Sequence, residues 1–115
     1  MLDTIQRFLR PYRQGDVLLV PCAEIPTGAF EEAAENGRVV LARGEQTGHA
    51  HTMAADRVCY FREDGTGSGF IRVSGTAPVD LTHEEHASLA IPPGSYRVVQ
   101  QRESQPRAAP RVVAD

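Results

Sequence analysis

A chain of 115 residues with a formal net charge of −3 and a sequence pI of about 5.8 can bury one core without staples, so a single domain over residues 1–115 is expected. Its acidity, its lack of tryptophan and an aromatic content of 6% argue against nucleic acid as a partner, which would call for basic grooves and stacking surfaces. Asp3, Gln6, Arg7 and Arg10 interrupt the N-terminal stretch where a secretion signal needs an apolar core, and no apolar run approaches the roughly 20 residues that span a bilayer, so a cytoplasmic protein without a membrane partner is expected.

Leu2, Ile5, Phe8 and Leu9 share one face at helical spacing and Pro11 stops the pattern, which predicts a short amphipathic helix over 2–10. From Gln14 the signal becomes short β-branched and aromatic runs broken by Gly and Pro, a β core over 14–103. The runs are 16–21, 39–43, 48–53, 58–62, 69–74, 88–91 and 95–102, with hairpin turns expected at 63–68 and at Pro92-Pro93-Gly94. Phe30 to Asn36, with Gly37 placed like a helix C-cap, reads as one or two helical turns. Residues 104–115, with two prolines, three alanines and two arginines, read as an extended C-terminal arm. The fold class expected is therefore all-β, a small single-domain barrel or sandwich of about seven short strands with a short N-terminal helix over one opening.

Cys22 and Cys59 lack Cys-x-x-Cys spacing and sit in apolar surroundings, which points to buried small hydrophobes and away from a redox or zinc-ribbon motif. Gly65-Thr66-Gly67-Ser68-Gly69 lacks the Gly-Lys-Ser/Thr ending of a phosphate loop and reads as a hairpin tip.

All four histidines fall in two pairs, His49-Ala50-His51 and His83-Glu84-Glu85-His86. Imidazole is the commonest nitrogen ligand of zinc, and on a strand residues i and i+2 share a face, so His49 and His51 can flank one ion. His83 and His86 can join them from a helical turn or a tight loop. Three protein ligands would leave an open position suited to catalysis, and four would close a structural site. Glu45 can orient a ligating imidazole or take a proton from bound water, and Glu84 and Glu85 are the other candidate bases. The bland alternatives stand beside these. His49 and His51 can be ordinary strand residues, and Thr82 with Glu85 forms a capping box that would open a short helix from His83 through Ala87 and explain the acids by itself.

The segments Gly44-Glu45-Gln46-Thr47-Gly48-His49-Ala50-His51, Leu81-Thr82-His83-Glu84-Glu85-His86, and Ile91 through the Pro92-Pro93-Gly94 turn to Gln101-Arg102-Glu103 resemble a family of short uncharacterised bacterial and phage-associated proteins. The resemblance covers about 14–103 and implies that the four histidines form a set; it implies no activity. A weaker likeness is to the cupins, which carry His-x-His on a barrel strand followed by an acid, here Asp56. The second cupin motif departs, with Arg97 where cupins carry histidine, so the second histidine pair would have to supply the missing ligand.

The function expected is binding of zinc or another divalent transition metal through His49, His51, His83 and His86. One alternative is a metal-dependent hydrolase acting on an ester, amide or phosphoester through metal-bound water; another is a metal-free interaction or assembly module. The partner is not specified by the sequence, and homo-oligomerisation is left open.

Overall fold

The computed structural model describes residues 10–44 and 48–101, which form ten strands. In chain order they are β1 (Tyr12–Gln14), β2 (Val17–Cys22), β3 (Ala29–Glu32), β4 (Arg38–Arg43), β5 (Ala50–Ala54), β6 (Val58–Glu63), β7 (Gly69–Val73), β8 (Val79–Thr82), β9 (Leu89–Ile91) and β10 (Gly94–Gln100). They build two antiparallel sheets, β1-β2-β10-β7-β6-β3 and β4-β5-β8-β9.

Period-two alternation explains how the sheets meet. Val17 and Leu19 of β2, Val58 and Tyr60 of β6, Ile71 and Val73 of β7, and Tyr96 of β10 turn inward from the larger sheet. Val39 and Leu41 of β4, Met53 of β5, Leu81 of β8 and Ile91 of β9 meet them from the smaller one, and all belong to one core cluster. Burial of these side chains is the main drive to the fold, at roughly 1.5–3 kcal/mol for each large one.

The architecture is a sandwich, one of the two expected forms, and not a barrel. Each sheet ends on two edge strands, β1 and β3 in one and β4 and β9 in the other, so neither closes on itself. There is no helix among the described residues. The N-terminal helix expected over 2–10 has no place in the described fold: Arg10 is not helical and residues 2–9 lie outside the described part. Residues 104–115, the expected arm, lie outside it as well.

Three strands, β1, β3 and β8, come in addition to the seven expected. β3 replaces the helical turns expected from Phe30, because the Asn36-Gly37 pair has a different use. Both residues have positive φ, 51° and 77°, and Glu35 and Arg38 exchange backbone hydrogen bonds across them at 2.7 and 2.9 Å. Paired positive-φ residues are the requirement of a two-residue type I′ turn, which Asn-Gly meets better than any other dipeptide. The Pro92-Pro93-Gly94 turn is also corrected. It joins β9 to β10, which lie in different sheets, so it is a corner and not a hairpin, held by Tyr96 Oη donating to Pro92 O at 2.7 Å.

The register of β4 on β5 shifts between Val40 and Ala42. This bulge turns two consecutive residues, Leu41 and Ala42, to the buried side and sets Ala42 opposite His51. His51 and Met53 are the inward residues of β5, so the chain places an imidazole on the core face, at the end of the sandwich where the β1–β2 hairpin closes it. Cys22 and Cys59 are free thiols, and partial burial pushes both up from the ordinary thiol pKa.

Candidate metal centre

Three segments converge at this end: the β1–β2 hairpin through Gln14, Gly15 and Asp16; the start of β5 through His49 and His51; and the β8–β9 loop through His83 to His86. The buried Gln14 side chain joins them. Its Nε2 donates to Leu81 O at 2.8 Å and to Ala87 O at 2.9 Å, two carbonyls that only an amide N–H can satisfy. That fixes its orientation, so its Oε1, 2.8 Å from His51 Nδ1, accepts the imidazole N–H. Gln14 thereby pins the histidine-bearing loop to β1 and sets the tautomer of His51.

The four imidazoles form one cluster. Ring centroids are 4.3 Å apart for His51 and His83, 4.6 Å for His83 and His86, 5.7 Å for His49 and His83, and 6.1 Å for His51 and His86. Two imidazoles sharing a tetrahedral zinc at about 2.0–2.1 Å would have centroids on the order of 5 Å apart. The spacing is thus of the scale that a common ion requires.

Within the cluster the individual roles diverge. His49, His83 and Glu84 each present one ligand atom, all within 4.8 Å of one another, so this group could hold a metal ion. His49 also sets Nδ1 3.4 Å from Glu85 Oε2. Glu84 Oε1 accepts the Ala50 N–H at 3.0 Å, and that bond holds its carboxyl below the usual range. His51 is only 2% exposed, and its second nitrogen, Nε2, faces Asp16 Oδ1 at 3.0 Å. His86 is exposed and lies over Gly15, which has a φ of +59°. Glu45 lies outside the described residues. Asp56, the acid of the cupin likeness, is exposed beyond the far end of β5.

The helix expected at His83–Ala87 does not form; residues 84–86 are bends. Thr82 Oγ1 is drawn into the sheet instead, bonding Thr52 at 3.3 Å and accepting from Arg38 at 3.0 Å. With the cap residue committed elsewhere, the Glu85 N–H donates to His83 Nδ1 at 3.0 Å, so the His83 proton sits on Nε2. Metal binding at this ring has to displace either that proton or the Glu85 amide, and the turn adjusts with it.

Gln14, Asp16 and Gln100 carry no motif and were missed from the sequence. Gln14-Gly15-Asp16 reads only as turn chemistry, and Gln100, which donates to Asp16 Oδ2 at 3.0 Å, comes from 84 residues further along the chain. Gly15 shows the tightness of the junction. A Cβ there would meet His86 Nε2 at 2.6 Å. Gly15→Ala is expected to cost about 1–2 kcal/mol in urea unfolding, from left-handed strain at an L-residue, and to displace the His86 ring, read as a shift of its imidazole NMR signals.

Burial pushes the His51 pKa below its ordinary 6.5, against the opposing pull of Asp16. The unfolded chain therefore takes up this proton first as pH falls, and the stabilisation present above pH 6.5 is lost on the way down towards the folded pKa. Burial pushes the Asp16 pKa up, but the bond donated by Gln100 and the contact with the His51 ring hold it below 3.8 on balance, so Asp16 acts in the same direction at lower pH. Denaturant titrations of metal-free protein between pH 7.5 and 5 should show stability falling with acid by at most about 1.4 kcal/mol per pH unit for this group. The slope should flatten in His51→Gln; an unchanged slope would assign it to other groups.

A cleft of about 520 Å³ runs beside the site, with Glu32, Glu35, Arg43, Tyr60, Arg62 and Gln100 among its lining residues. Both arginines are paired, Arg43 with Glu35 at 2.7 Å and Arg62 with Glu32 at 3.1 Å. None of the four histidines lines it. Among the described residues no helix is long and apolar enough to cross a membrane.

No curated protein and no solved structure matches the chain. Residues 13–101 match the model of a family described as a domain of unknown function, DUF8820, and the chain, with all four histidines inside that span, belongs to this family.

Proposed function

We propose that this domain binds a divalent transition metal, zinc in the first place, with His49, His83 and Glu84 as its protein ligands. The observation that carries the reading is the approach of their three ligand atoms to within 4.8 Å of one another. Two imidazoles and a carboxylate are a donor set suited to zinc, and three protein ligands leave a fourth position for water or a bound group. Glu85, next to His49, is placed to hold that ring or to accept a proton from bound water.

Binding is favoured over hydrolysis as the role, because the cleft of about 520 Å³ beside the site is lined by none of the histidines. The test is elemental analysis and zinc titration of protein prepared without a histidine tag. At least one ion per chain is expected. Absence of metal uptake at micromolar free zinc overturns the reading and leaves a metal-free interaction module.

A further inference from the structure

The contact between His51 and Asp16 has an unusual donor count. Because Gln14 Nε2 is committed to two carbonyls, Gln14 Oε1 must take the His51 Nδ1–H, which makes Nε2 the coordinating end of the ring. That nitrogen faces Asp16 Oδ1 at 3.0 Å. A ring nitrogen and a carboxylate oxygen at this distance need something positive between them, a proton or a metal ion. The other carboxylate oxygen, Oδ2, is fixed by the Gln100 amide at 3.0 Å.

Each member of the pair is thus oriented from behind by a carboxamide, with its remaining donor atom turned to the other. Ligating histidines and carboxylates are commonly held in this way, by hydrogen bonds from behind that set ring orientation and basicity. Two ligand atoms on one tetrahedral or octahedral ion, at about 2.0–2.1 Å each, lie roughly 3 Å apart. The imidazole is 3% exposed and the carboxylate 45%, so the pair is rigid on the protein side and open to solvent on the other.

We propose that Asp16 and His51 form a second cation position, beside the His49, His83 and Glu84 group, in which a divalent transition metal lies between His51 Nε2 and Asp16 Oδ1 and completes its shell with water. One nitrogen and one carboxylate oxygen suit zinc, cobalt or manganese. With two protein donors this position is the weaker of the two, and its waters are the more exchangeable. His51 and His83 are in ring contact, so the positions adjoin and the centre is dinuclear.

The test is equilibrium dialysis of the tag-free full chain against cobalt(II), with metal counted by atomic emission and coupling read by electron paramagnetic resonance. The parent is expected to hold two ions with spin coupling, and Asp16→Asn to hold one without it. His49→Ala/His83→Ala is also expected to hold one, now in the Asp16 position. Gln100→Ala keeps both ligands and removes the bond behind Asp16 together with the longer one to Arg43 O at 3.3 Å; it should weaken the second ion by about tenfold with the circular dichroism spectrum unchanged, which separates a ligand effect from misfolding. A parent with one ion that Asp16→Asn retains overturns this inference and leaves the first position standing. A parent with one ion lost in Asp16→Asn but kept in His49→Ala/His83→Ala supports it and removes the first position. Two ions retained by Asp16→Asn also overturn it.

Discussion

Replacing His49 and His83 together with alanine will lower the affinity of the first metal position by about 10²-fold or more. Loss of even a hydrogen bond behind a ligand costs about 10–100-fold, and here two of three ligands go, leaving only Glu84. The expectation follows from which atoms converge, since His49, His83 and Glu84 are the group within 4.8 Å. Competition against a chromophoric chelator measures it. Glu84→Gln gives the intermediate case: its amide oxygen can still accept the Ala50 N–H, so the local fold persists while the negative charge is lost. His86→Ala, whose ring lies over Gly15 and outside that group, should leave this affinity nearly unchanged. Equal losses in the His86 and His83 variants would mean that the whole cluster ligates as one set, and the ligand assignment would fail.

The contrast between those variants marks what the sequence could and could not say. The i, i+2 spacing of His49 and His51 indicates a shared face, but His49 precedes β5 and only His51 is among its inward residues. Spacing says nothing about partners, however. His51 reaches inward to Gln14 and Asp16, side chains 37 and 35 positions away, while His49 meets the β8–β9 loop. The strand-rich pattern was legible because alternation is local, as in Val17 and Leu19. The errors arose where one local signal had two physical readings. Asn36-Gly37 serves either a helix end or a type I′ turn, and Thr82 serves either a cap or a sheet hydrogen bond. In each case the tertiary partner decides, Arg38 across the turn in the first and Thr52 with Arg38 in the second. Sheet closure was beyond local pattern altogether, since inward and outward residues alternate alike in a barrel and a sandwich.

Gln14→Ala will be the most destabilising single change outside the apolar core, at about 3–5 kcal/mol. The side chain is 4% exposed and makes three hydrogen bonds, to Leu81 O, Ala87 O and His51 Nδ1. Its removal strands two carbonyls and an imidazole N–H, and each buried polar group left unpaired costs roughly 1–3 kcal/mol. Water entering the vacated space offsets part of that, which sets the figure below the full sum. Against a typical total of about 5–15 kcal/mol, the loss is large enough to move a urea midpoint unmistakably. Gln14→Glu keeps the shape but turns a carboxylate oxygen towards two carbonyl oxygens. It should be worse than alanine at pH 7.5 and improve relative to alanine as acid protonates the new side chain and restores one donor. Because Ala87 O belongs to the loop that carries His83 and Glu84, both variants should also weaken zinc, with the folded fraction held constant by osmolyte. A cost below about 1 kcal/mol for Gln14→Ala, with unchanged zinc affinity, would show that the loop holds its place without this amide.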